Sequence, residues 1–91
     1  MAARFGTEVD GRLVEIEFDR RKVVLNAVRL FVDGAEVDAG RVFYGEKELR
    51  ATIGGREVVV AVVSGMVGEL LRAQVRRGDG AWVDLEERTP A

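Results

Sequence analysis

The chain has 91 residues, enough for one small domain and no second core. Sixteen acidic against fourteen basic side chains leave a net charge of -2, so there is no global attraction to nucleic acid, and 47% hydrophobic content places the chain among folded domains. The absence of cysteine and histidine excludes disulfides, thiol nucleophiles and zinc-thiolate sites, and removes the usual neutral-pH acid/base group.

Met1 to Gly6 lacks the apolar stretch of a secretory signal, and nowhere do eighteen apolar residues run together, so the chain reads as cytoplasmic. Asp10-Gly11 is the first of four turn signals. A two-residue turn there sets Val9 opposite Arg12, Thr7 opposite Val14, Phe5 opposite Ile16 and Arg4 opposite Glu17, with the apolar face continuing to Phe18. Arg20-Arg21-Lys22 reads as a turn, placed at 19–21, although Val23-Val24-Leu25 just beyond it has strand character.

At Asp33-Gly34 the same construction pairs Val32 with Ala35, Leu30 with Val37 and Arg29 with Asp38 as an outward ion pair, turning Phe31 away from the main core. Gly54-Gly55 sets Ile53 opposite Arg56, Ala51 opposite Val58 and Leu49 opposite Val60. Glu48, Arg50 and Thr52 then lie outside, opposite Ala61, Val59 and Glu57. The run Val58 to Val63 is apolar on both faces, which fits a strand that is central or covered by a partner.

Met66 to Arg77 alternates better than it turns, with a helical turn near 65–70 as the alternative there. A three-residue Gly78-Asp79-Gly80 loop, with Gly80 at positive φ, opposes Val75 to Val83 and Ala73 to Leu85. It leaves Arg76 with Trp82, Gln74 with Asp84 and Arg72 with Glu86 on the outer face. The sequence thus predicts an all-β domain over residues 1–86, about eight antiparallel strands in consecutive hairpins forming a two-sheet β-sandwich, with a small up-and-down barrel as the alternative. Residues 87–91, with the single proline Pro90, read as a flexible C-terminal tail.

The succession Asp10-Gly11, Ile16-Glu17-Phe18, Val32-Asp33-Gly34 followed by Glu36, and a valine-rich strand closed by Ser64-Gly65 resembles the repeated β-sandwich domain of the Fas apoptotic inhibitory molecule family. The similarity covers roughly residues 8–80. It implies a compact antiparallel β domain without known enzymatic chemistry, acting through protein contacts. This chain holds one such unit where the animal protein has two, and no ligand-binding residue carries across.

Carboxylates are the only acid/base groups present. Glu15 with Glu17, and Asp84 with Glu86, lie two apart on one strand face, whereas catalytic pairs need opposed surfaces in a cleft. Asp33 with Asp38, or Asp79 with Asp84, lack the dense alternating oxygen ligands of a calcium loop, and turn chemistry accounts for Asp10, Asp33 and Asp79. The glycines make no phosphate cradle, and Ser64 has no histidine to activate it, leaving only a formal dyad with Lys22 or Lys47. The expectation is therefore a protein that is not an enzyme and has no cofactor or metal.

Parity instead directs Phe31, Val59, Ala61, Val63 and Trp82 away from the main core, with Arg76 beside Trp82. Exposed apolar residues of this kind mark an interaction surface, for a protein partner or for a second copy in a homodimer, unless a neighbouring segment folds back over them. The alternative is a small-ligand or single-stranded nucleic-acid binder using Arg76, Arg77 and Trp82.

Overall fold

Alternating apolar residues between glycine corners become nine strands in the computed structural model, which describes residues 2–20, 26–42, 45–65, 69–77 and 80–88. The strands are β1 (Ala2–Val9), β2 (Arg12–Arg20), β3 (Asn26–Val32), β4 (Ala35–Val42), β5 (Gly45–Ile53), β6 (Arg56–Ser64), β7 (Leu70–Arg76), β8 (Trp82–Asp84) and β9 (Glu86–Arg88). Three corners use two consecutive residues at positive φ: Asp10 and Gly11 at 51° and 77°, Asp33 and Gly34 at 51° and 86°, Gly54 and Gly55 at 58° and 80°. Only such corners match the right-handed twist of the flanking strands, and aspartate and glycine tolerate them.

The strands form two antiparallel sheets, one ordered β4-β3-β2-β1-β9 and the other β5-β6-β7-β8. The ladders do not join into a barrel; the molecule is a two-sheet β-sandwich. Val14, Ile16, Phe18, Val28 and Leu30 of the first sheet meet Leu49, Ile53, Val58, Val60, Val62 and Val75 of the second in one buried cluster. Each such side chain contributes roughly 1.5–3 kcal/mol on burial. At one end of this core Asn26 on β3 donates from Nδ2 to Ser64 Oγ on β6 at 3.4 Å, a buried polar tie between the sheets.

The first and third hairpins adopt the expected registers: Val9 faces Arg12, Phe5 faces Ile16, Leu49 faces Val60 and Arg50 faces Val59. The second departs from expectation. Val32 does pair with Ala35 and Phe31 with Glu36, as a two-residue turn requires, but a β-bulge then leaves Val37 as an extra residue, so Leu30 pairs with Asp38. One inserted residue inverts the parity of the rest of β4. Arg29 therefore meets Glu36 at 3.6 Å and Glu17 at 3.9 Å instead of Asp38, and Asp38 turns toward the second sheet.

Two other boundaries move. β2 continues through Asp19 and Arg20, which pair with Ala27 and Asn26, so the turn expected at 19–21 does not begin at Asp19; residues 21–25 lie outside the described ones. The last hairpin keeps Arg76 opposite Trp82 and Gln74 opposite Asp84, with Gly80 at φ 87°, while Gly78 and Asp79 of its loop fall outside the described residues. Leu85 still donates its N–H to Ala73, yet the pairing of Arg72 with Glu86 is not made. The chain crosses after Leu85 to the other sheet, where Glu86, Glu87 and Arg88 pair with Gly6, Phe5 and Arg4. Sheet structure thus extends past Glu87, where a frayed tail is expected. The helical-turn alternative over 65–70 falls partly on residues 66–68, also outside the described ones.

Candidate interaction surface

The outer face of the first sheet carries a charge ladder. Arg4 on β1 reaches Glu15 at 3.7 Å and Glu17 at 3.5 Å, Arg88 on β9 reaches Glu15 at 3.5 Å, and Arg29 on β3 links Glu17 to Glu36 on β4. Gly6 makes the crossing possible, since a Cβ there would stand 2.9 Å from both Glu15 Cγ and Arg88 Cδ. Phe31 does point away from the core, but the Arg4 guanidinium lies 4.3 Å from its ring centroid, and only 8% of the residue is exposed. A cation over the ring and the stems of neighbouring side chains shield it. Phe31 is therefore not a free contact residue.

The same physics corrects the second sheet. β6 is flanked on both sides, and each outward residue is bracketed by long side chains: Val59 by Arg50 and Arg76, Ala61 by Glu48 and Gln74, Val63 by Glu46 and Arg72. Val59 is 3% exposed and Ala61 also buried, while Val63 is half-buried. Trp82 is different. It stands on β8, an edge strand of three residues, and is 45% exposed, with the Arg76 guanidinium 5.9 Å from the indole centroid. One row along, Gln74 donates to Asp84 at 2.8 Å.

Beside this edge lies a groove of about 360 Å³ that no pattern in the sequence foreshadows, lined by Phe5, Leu70, Leu71, Ala73 and Leu85 and by the polar side chains of Arg72 and Asp84. It opens where β8 ends and the chain leaves for the first sheet. No local pattern in the sequence marks a change of sheet. The single clue is Glu86-Glu87-Arg88, which carries no apolar residue to continue the last hairpin's inner face.

The carboxylates weighed for chemistry are engaged elsewhere. Glu15 and Glu17 belong to the charge ladder, and Asp84 and Glu86 sit in different sheets. Asp33 accepts from Arg12 and from the N–H of Leu13, and Asp38 accepts the N–H groups of Ala39 and Arg50. Ser64 is buried against Asn26, the Lys47 stem packs over Gly40, and Lys22 lies outside the described residues. Among the described residues no group of three or more acidic side chains could hold a metal ion, and no helix is long and apolar enough to cross a membrane. No protein-family model matches this chain, and no curated protein or solved structure is detectably similar to it.

Proposed function

We propose that this domain is a non-enzymatic, cytoplasmic interaction module that works by protein contact through the Trp82 face of the second sheet, with a second copy of the chain as the simplest partner. One observation carries the reading: the sole tryptophan is about half exposed on an edge strand, while Val59 and Ala61, the outward apolar groups of the neighbouring central strand, are buried between long polar side chains. A large amphipathic ring held in place by Arg76 offers contact area at low conformational cost. The resemblance to a β-sandwich repeat that acts by contact points the same way.

Sedimentation velocity across the micromolar range tests it, with Trp82 emission as a second readout. The expected result is concentration-dependent association with a blue-shifted indole, lost in Trp82→Ala at an unchanged urea midpoint. A monomer at every concentration, together with unaltered partner capture by Trp82→Ala, would overturn the proposal. A second reading draws on the same geometry, since Arg76 beside an exposed indole is also a base-stacking arrangement. Salt-dependent quenching of Trp82 by a single-stranded oligonucleotide at low salt is the result that would favour it.

A further inference from the structure

The early departure of the chain from the second sheet leaves part of β7 without a neighbour on its β8 side. β8 pairs with Gln74, Val75 and Arg76, and Leu85 adds one more bond to Ala73. Beyond that point, from Leu70 to Arg72, β7 is paired with β6 on one side, and on the other side no strand lies beside it among the described residues. An exposed strand edge is a template for an added strand, and here the template opens onto the groove of mixed polarity whose apolar wall is Phe5, Leu70, Ala73 and Leu85 and whose polar rim is Arg72 and Asp84. Leu71, the extra residue of the bulge opposite Val63 and Ser64, is 63% exposed at its rim.

The vacated positions also specify charge. A strand continuing the line of β8 would next set a side chain opposite Arg72, on the outer face. Glu86 would have filled that position had the hairpin run on, and it pairs with Gly6 instead. Among the described residues no carboxylate pairs with Arg72. The following residue of such a strand has the opposite parity and enters the groove.

We propose that the Leu70–Arg72 edge of β7 is a strand-addition site for an extended segment of another polypeptide in which acidic and apolar residues alternate, the acidic side chain meeting Arg72 and the apolar one filling the groove. This site lies beyond the Trp82 face and does not rest on it. Fluorescence anisotropy tests it with a fluorescein-labelled peptide of alternating glutamate and valine, its lysine-valine counterpart, and a glutamate-valine peptide N-methylated at alternate amides. At low salt the first should bind about fivefold more tightly than the second, the range of one cross-strand charge pair, and N-methylation should abolish binding. Arg72→Glu should invert the preference, Leu71→Asp should weaken both peptides, and Trp82→Ala should change neither. Equal affinity of the two charged peptides, no inversion by Arg72→Glu in a variant with the parent's urea midpoint, or full binding of the N-methylated peptide would each overturn it.

Discussion

The Asp38 carboxylate on β4 accepts the backbone N–H of Arg50 on β5 at 2.9 Å, a hydrogen bond that crosses between the two sheets. Both strands are edges, and an edge N–H facing solvent recruits other chains. The bulge at Val37 is what turns Asp38 to that side, so one inserted residue protects two edges. A charge-assisted bond at a partly exposed position contributes about 1 kcal/mol. Asp38→Ala should lose that much in urea denaturation and raise light scattering on concentration. Asp38→Asn keeps an acceptor oxygen and should fall between. A scattering curve identical to the parent's for Asp38→Ala would remove the edge-protection role.

What was legible in the sequence was whatever local rules control. The corners at Asp10-Gly11 and Gly54-Gly55 are tight, and parity from a tight corner gives every rung of two hairpins. What escaped depends on the partner strand or on distance. The bulge at Val37 has no signature, since valine suits either parity. The sheet change at Leu85 follows from competition between β7 and β1 for the same chain, which parity within one hairpin cannot register. Val59 and Ala61 lie on the outer face that parity assigns, and what parity does not register is that they are buried there between the long side chains of the flanking strands. The alternative of a neighbouring segment folding back over them falls on residues 66–68, which lie outside the described residues. Arg76 and Trp82 were legible as a pair because the three-residue loop fixes their rung.

Asp10 and Asp33 occupy equivalent corners with the same φ of 51° and yet should respond differently to glycine. Asp33 accepts the Leu13 N–H at 2.9 Å and the Arg12 guanidinium at 3.1 Å, stitching its turn to the start of β2, and its own N–H donates to Leu13 O at 2.8 Å. Asp33→Gly keeps the corner and the backbone bond but deletes both side-chain bonds, at a cost of about 1–2 kcal/mol. Asp10→Gly removes only strain at positive φ and should shift stability by a few tenths of a kcal/mol. Thermal denaturation of the two variants side by side reads the difference, and equal shifts would deny the stitching.

Gly6 is the point at which the charge ladder crosses to β9. An added Cβ would press on Glu15 Cγ and Arg88 Cδ at 2.9 Å and on the Val14 carbonyl oxygen at 3.1 Å; that oxygen is backbone and has little room to yield. Gly6→Ala should destabilise the domain by about 1–3 kcal/mol. The loss should also concentrate locally, because β9 is three exposed residues held by its ladder to β1 and the contact of Arg88 with Glu15. Amide hydrogen exchange of Glu86 to Arg88 should accelerate more than that of β6. Uniform acceleration across both sheets would place the effect in the core instead.

Val59 and Val63 share the outer face of β6 and separate folding from docking. Lysine at Val59 would stand between Arg50 and Arg76, a third cation in a row that leaves the valine 3% exposed, so charge repulsion adds to the lost burial. Val59→Lys should cost about 1–3 kcal/mol in urea denaturation. At Val63 the flanking residues are Glu46 and Arg72, the valine is already half-buried, and a lysine head has a carboxylate to meet and solvent to reach. Val63→Lys should cost less than about 1 kcal/mol. A loss of association in Val59→Lys alone therefore reports unfolding, whereas the same loss in Val63→Lys at a near-parental urea midpoint reports the contact surface. If both variants unfold equally, the side chains of Arg50 and Arg76 are not what covers Val59.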